Sequence, residues 1–177
     1  KKNSEPQNLL ERLTFEKKTA LRGGIYHKIQ IELTYNSNHI EGSKLTHDQT
    51  RDIFETNTIG AENDALNVDD IIETANRFKC IDMIIDSATY NLTEKFIKEL
   101  HFTLKSGTSD SRKDWINVGG YKKLPNEVGG MMTASPETVA QKIKDLLKSY
   151  NQKNEHTLEE IIDFHYQFEP LHPFQDG

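Results

Sequence analysis

Apolar residues recur at three- and four-residue spacing along almost the whole chain, a period that a helix satisfies and a strand does not. The longest such segment runs from Val68 to Ala88, where Ile71, Ile72, Ala75, Phe78, Ile81 and Ile85 make one broad stripe. Residues 7–21 form a polar leading helix with Leu9, Leu10, Leu13 and Ala20 on one side. Ile25, Ile29 and Leu33, with Tyr26 alongside, mark a second helix, and Gly42 stands where a left-handed cap would end it. Thr46 and Gln49 have capping-box spacing and open a helix to about Phe54. Thr93 caps a helix whose Phe96, Ile97, Leu100 and Leu104 share a face. Ser135, Pro136 and Glu137 give an N-cap, a first-turn proline and an acidic first turn, before Val139, Ile143, Leu146, Leu147 and Tyr150. Thr157 and Glu160 form a second capping box ahead of Leu158, Ile161, Ile162, His165 and Phe168.

One stretch breaks the period. Between Ile116 and Thr133, two short extended pieces flank Pro125-Asn126, and glycine pairs bound each side. This predicts a β-hairpin turning at Pro125-Asn126. Residues 59–67 and 106–113 read as loops. The expected fold class is mainly α, a single helical domain with one small hairpin.

Charge narrows the functions available. The chain has 177 residues, 28% of them charged, and a formal net charge of -6. That balance, with only short basic pairs such as Lys17-Lys18 and Lys122-Lys123, argues against a general nucleic-acid binder. Cys80 is the single cysteine, which excludes an internal disulfide, and its apolar helical setting predicts a buried, inert thiol. The amino end, Lys1-Lys2-Asn3-Ser4-Glu5-Pro6, lacks the apolar run of a signal peptide. No apolar run approaches the ~20 residues a membrane span needs. A cytoplasmic protein without membrane or nucleic-acid partners is expected.

The sharpest local sequence is Pro170-Leu171-His172-Pro173-Phe174-Gln175-Asp176-Gly177, directly after a capped helix. It sets an imidazole and a carboxylate on one loop stiffened by Pro173. Imidazole can accept a proton near neutral pH. A carboxylate can hold Mg²⁺ that completes its shell with phosphate oxygens and water. By chemistry alone, a surface loop with a satisfied histidine accounts for the same residues.

His172-Pro173-Phe174-Gln175-Asp176-Gly177 resembles the opening of the Fic signature, His-Pro-Phe-x-(Asp or Glu)-Gly-Asn-Gly-x-Arg. The resemblance covers roughly residues 68–177, and it implies a helical Fic-like domain with a hairpin flap beside the active site. By that resemblance His172 is the general base that deprotonates a Ser, Thr or Tyr hydroxyl of a target protein, which then attacks the α-phosphate of ATP. Asp176 is the implied Mg²⁺ ligand. Phe174 and Gly177 are the implied nucleotide-site residues, with Phe174 packing inward and Gly177 opening an anion-binding turn. The chain ends at Gly177, inside the signature, so the family's Asn, second Gly and Arg lie beyond it and activity of the chain as given is open.

A second resemblance lies upstream. Ser37-x-x-x-Glu41-Gly42 is similar to the inhibitory motif of the Fic subgroup whose brake precedes the catalytic core. It implies that Ser37, Glu41 and Gly42 belong to a self-inhibitory helix and that the Glu41 carboxylate opposes the reactive ATP arrangement by like-charge repulsion. The implied organisation is an amino-terminal region, 1–67, holding the brake at 37–42, and a catalytic core, 68–177. Residues 119–133 match the flap, with Tyr121, Lys122, Val128 and Met131 as target contacts through strand addition.

The resemblance leaves several activities open: self-inhibited AMP transfer to a protein, possibly the chain itself as a homo-oligomer; AMP removal on the same fold; UMP, phosphocholine or phosphate transfer; or nucleotide or partner binding without turnover. Other residues have structural readings. His101, on an apolar helical face, reads as a core histidine, and Trp115 as an anchor before the flap. A His165–His172–Asp176 metal site conflicts with the place of His165 on an apolar stripe.

Overall fold

The longest apolar stripe determines how the amino-terminal half closes. In a computed structural model that describes residues 6–60 and 65–176, the first helices are α1 (Leu9–Thr19), α2 (Ile25–Ile40), α3 (His47–Thr56) and α4 (Val68–Ser87). On α4, Ile81 and Ile85 pack with Tyr26, Leu10, Leu13, Ile29 and Phe54. Phe78 of the same helix closes a second cluster with Leu45 and Ile53. These contacts place α4 in the first of two compact units, Lys1–Thr89 and Tyr90–Gly177. The boundary falls after α4, whereas the sequence pattern places it at 67/68, before that helix.

Both capping boxes and the Thr93 cap read from sequence are made, whereas Ser135 precedes its helix without a side-chain cap hydrogen bond. Thr46 and Gln49 exchange both capping-box hydrogen bonds at the start of α3. Asn57 closes α3 in the left-handed region, at φ 54°. Gly42 follows α2 at φ +93°, where a side chain would be strained.

The face α2 buries differs from the one its apolar spacing suggests. Leu33 is half exposed and Ile25 is exposed, while Gln30, Thr34 and Asn38 are buried with Tyr26 and Ile31. Asn38 donates to Thr74 Oγ1 on α4 at 2.8 Å, and Gln30 donates to the Phe78 carbonyl and to Asp82. Cross-helix hydrogen bonds from Gln30 and Asn38 help to bury this polar stripe, although Thr34 Oγ1, Gln30 Oε1 and Asn38 Oδ1 are buried without a hydrogen-bond partner among the described residues.

The second unit is built from α5 (Glu94–Lys105), a short 3-10 turn (Asp110–Arg112), β1 (Glu127–Val128), β2 (Met131–Met132), α6 (Pro136–Tyr150), α7 (Leu158–Phe168) and a 3-10 turn (Glu169–Leu171). Ile97, Val139, Ile143, Leu147, Ala134 and Phe174 form its core, with Phe164 and Phe168 of α7 against it. Of the stripe read for α7, Phe168 packs inward, while Leu158, Ile161, Ile162 and His165 lie exposed. Trp115 is half exposed under Lys113, so it does not anchor the flap by burial.

The hairpin is present, but its turn lies elsewhere than expected. Val128 pairs with Met131 and Glu127 with Met132, which puts the turn at Gly129-Gly130, with φ of 58° and 79°. A two-residue turn with positive φ at both positions suits Gly-Gly and excludes proline. Pro125 and Asn126 precede β1 instead.

The start of α2 is capped from a distance. Its own N-cap, Gly24, offers no side chain; instead the buried Glu16 of α1 accepts from the Tyr26 N–H at 2.8 Å and from Arg12 Nε at 2.9 Å. A Cβ at Gly24 would overlap that carboxylate. The Tyr26 N–H bond, more than Arg12, holds the Glu16 carboxyl below its usual range against the opposing effect of burial. Replacing Glu16 by Ala is expected to lower stability by about 1–3 kcal/mol. A carboxylate with a depressed folded pKa stabilises above its unfolded value and loses that contribution as pH falls through the folded one. The stability gap between the parent and Glu16→Gln, read by urea denaturation, should therefore narrow on acidification; a gap constant with pH would mean the charge contributes nothing.

Candidate functional site

The loop after α7 is held through its own backbone. His172 caps the second 3-10 turn in the left-handed region, at φ 38° and ψ 68°, its N–H bonded to Glu169 O at 3.0 Å. Such a conformation for a residue with a side chain costs about 1–3 kcal/mol and persists only where its surroundings over-determine it. Those surroundings are donors aimed at successive loop carbonyls. Ala134 N–H reaches Pro170 O at 3.1 Å, and Lys122 N–H reaches Pro173 O at 2.9 Å. Lys122 Nζ reaches Leu171 O at 3.3 Å, and Asn126 Nδ2 reaches Phe174 O at 3.0 Å. His101 Nε2 lies 2.8 Å from Asp176 O. The Gln175 amide exchanges hydrogen bonds with the backbone of Leu124. Most of these donors come from the residues leading into and out of the hairpin, so flap and loop share one hydrogen-bond network.

Lys122 is its centre. It is 3% exposed, and its ammonium also donates to Asn126 Oδ1 at 2.7 Å and Thr133 Oγ1 at 2.6 Å. Burial holds its pKa below the usual lysine range. The side chain expected at the surface against a target instead points inward, where its ammonium donates to Asn126 Oδ1, Thr133 Oγ1 and the Leu171 carbonyl. Tyr121 is half-buried, its ring 4.0 Å beneath Lys98 Nζ, and burial first, then the Glu94 carboxylate, raise its hydroxyl pKa. Val128 and Met131 are exposed on the hairpin, at 50% and 74%.

Asp176 and Phe174 tie the loop to α5. Phe174 is buried and stacks flat on His101, with ring centres 3.9 Å apart. Lys105, itself buried, sits 2.7 Å from Asp176 Oδ2 and 3.7 Å from Asp110. Burial raises the Asp176 carboxyl pKa, and Lys105, together with hydrogen bonding to Asp110 and the nearby His101, more than offsets this, leaving it below its usual value. One carboxylate oxygen is engaged by the lysine while the side chain keeps 54% exposure. That fits a monodentate Mg²⁺ ligand with nucleotide oxygens and water completing the shell. Among the described residues no three His, Cys, Asp or Glu side chains gather for a metal, and His165 pairs instead with Glu169 at 3.5 Å. Gly177 lies outside the described residues.

Ser37, Glu41 and Gly42 belong to the first unit. Glu41 is the C-cap of α2 with its N–H on Ser37 O at 3.2 Å, and its side chain is exposed. Burial lowers the pKa of Arg77 on α4, opposed by the Glu41 and Glu73 carboxylates. Cys80 is buried, its thiol pushed up to about 11 by desolvation.

Three residues that shape the loop carry no motif: His101, Lys105 and Asn126. The only sequence signal was the one-turn spacing of His101 and Lys105 on α5, which puts both on the face that meets the loop.

Residues 91–177 match the family model described as Fic/DOC family. No curated protein matches the sequence. Among solved structures, the chain is similar to a Fic domain containing signaling protein from Bacteroides thetaiotaomicron, at 30% identity and TM-score 0.74, covering 95% of this chain and 66% of that one. A Fic family protein from Desulfovibrio desulfuricans shares the fold at 22% identity and TM-score 0.70, over 98% of this chain and 55% of that one. Fic-1 from C. elegans shares it at 19% identity and TM-score 0.67, over 93% and 47%. The chain thus spans roughly half to two thirds of the length of these proteins.

Replacing Lys122 by Met keeps the apolar stem but removes the donors that its ammonium supplies to Asn126, Thr133 and Leu171. It is expected to destabilise the second unit by about 1–3 kcal/mol, read from Trp115 fluorescence in urea. An unchanged midpoint would mean that these oxygens find other donors.

Proposed function

The chain belongs to the Fic/DOC family through residues 91–177, a family whose members commonly transfer AMP to proteins, and on that premise we propose that it moves AMP from ATP to a Ser, Thr or Tyr hydroxyl of a protein, restrained by Glu41. The observation that carries this reading is the strained, left-handed His172 on a clamped loop that also bears the partly exposed Asp176. Strain maintained by many external hydrogen bonds is a common mark of a preorganised site.

His172 takes the proton of the target hydroxyl. The oxygen then forms a bond to the α-phosphorus of ATP as the bond to the bridging oxygen breaks, and pyrophosphate leaves with its electron pair. Asp176 would hold Mg²⁺, which when bound with the nucleotide neutralises charge on the phosphates. Phe174 keeps the loop seated by its stack on His101, and Gly177, next in the signature, is assigned to nucleotide binding. The exposed hairpin, with Val128 and Met131, offers main-chain groups to an extended target segment. Lys122 supports that hairpin from within, and Tyr121 packs at its base. Glu41, at the exposed end of α2, supplies the negative charge that opposes a productive triphosphate. The target is another protein or a second copy of the chain, in the cytoplasm. No helix among the described residues is long and apolar enough to cross a membrane.

The test is intact-mass analysis of the full-length protein after incubation with ATP and Mg²⁺. Glu41→Gly should gain the mass of one or more AMP groups, the unaltered protein little, and Glu41→Gly with His172→Ala none. Removal of Mg²⁺ by chelator should abolish the gain. Loss of AMP from a pre-modified protein, dependent on Glu41, would favour the reverse hydrolysis. Nucleotide binding without a mass change in Glu41→Gly would make this a binding domain.

A further inference from the structure

We infer that His101 is a positioning residue that couples the flap root to the catalytic loop, one neutral imidazole fixing the backbone at Gly119 and at Asp176 together. Both of its ring nitrogens are committed. Nε2 lies 2.8 Å from Asp176 O, and a carbonyl oxygen can only accept. Nδ1 receives the Gly119 N–H at 2.9 Å, and an amide N–H can only donate. The partners therefore dictate the tautomer: hydrogen on Nε2, lone pair on Nδ1. No rotation of the ring reproduces this pair of bonds, because a flip would exchange nitrogen for carbon at both ends.

The ring is also fixed in its plane. His101 is 4% exposed and lies parallel to Phe174, with an interplanar angle of 2°. Phe102, next on α5, backs the same junction: a Cβ at Gly119 would meet Phe102 Cβ at 2.9 Å. Gly119 has φ of 77°, so its close approach to α5 requires glycine twice over, for space and for backbone conformation. A turn further along α5, Lys105 takes the Asp176 carboxylate at 2.7 Å. The helix thus holds Asp176 by its backbone through His101 and by its side chain through Lys105. A displacement of the flap root at Gly119 is passed to the loop through a rigid ring rather than through a flexible side chain.

This inference rests on the reading of the His172–Asp176 loop as the site, but its test does not require turnover. The experiment is NMR on the full-length protein with ¹⁵N-labelled histidine and backbone amides. In the unaltered protein His101 should show the Nε2–H tautomer, and the Gly119 amide should be protected from exchange. Substitution separates the two ends. His101→Asn retains an acceptor near Nδ1 and should keep Gly119 protection while shifting the His172 ring signals. His101→Gln retains a donor near Nε2 and should keep the His172 signals while Gly119 exchanges about tenfold faster, the loss of one net hydrogen bond. His101→Phe should lose both. An Nδ1–H tautomer in the unaltered protein overturns the inference whether or not any variant folds. So does a result in which all three folded variants leave the His172 signals unmoved, since His101 would then be packing alone. Absence of AMP transfer in the Glu41→Gly protein with these NMR signatures intact would count against the activity and leave the coupling standing.

Discussion

A loop that turns back toward a protein interior carries a row of carbonyl oxygens out of water, and each must find a donor. Here the carbonyls of Pro170, Leu171, Pro173, Phe174 and Asp176 are met by Ala134, Lys122, Asn126 and His101. None of these donors lies in the loop itself. The shape of the loop is therefore a property of α5 and of the segments around the hairpin as much as of its own sequence. The left-handed backbone at His172 follows: an isolated loop would relax it, and a loop pinned on both sides cannot.

The two buried lysines of this unit solve different problems. Lys105 is set between the Asp176 and Asp110 carboxylates, so its charge is compensated where it lies. The oxygens that Lys122 reaches belong to an amide, a hydroxyl and a carbonyl. Taking an ammonium out of water without a counter-charge is costly, but this one supplies three donors from a single atom, and the hydrogen bonds it makes offset that cost. No neutral side chain of similar length does that. The geometry it sets is that of the flap and the loop together.

Local signals were legible where a few neighbouring residues decide the outcome. Both capping boxes, the Thr93 cap, the proline start of α6 and the end of α2 at Gly42 are matters of one or two turns of chain. The hairpin was legible as a break in helical period, but its turn was not. Pro125-Asn126 and Gly129-Gly130 are both turn dipeptides, and the observed turn takes positive φ at both residues, which Gly-Gly accepts and proline cannot, while the Asn126 side chain is held at Phe174 O far along the chain. His172, Phe174 and Asp176 were legible from a motif. His101 was legible only as a core histidine, because the atoms that give it a further role lie on Gly119 and Asp176, distant in sequence.

The first unit shows the same limit from the other direction. Apolar spacing on α2 pointed to Ile25, Ile29 and Leu33; Ile29 packs against α4, but Ile25 and Leu33 stay exposed while the helix buries Gln30, Thr34 and Asn38, a polar line at one-turn intervals. Periodicity counts apolar residues, whereas burial follows whichever face finds partners, and α4 offers Thr74, the Phe78 carbonyl and Asp82. Apolar packing tolerates a slide or rotation of one helix on another far better than directional hydrogen bonds do. A helix seated on α4 through Asn38 is consequently fixed in register immediately before its exposed end at Glu41. Whatever Glu41 does at that end, it does from a defined position, because the residue that sets the register lies within one turn of it.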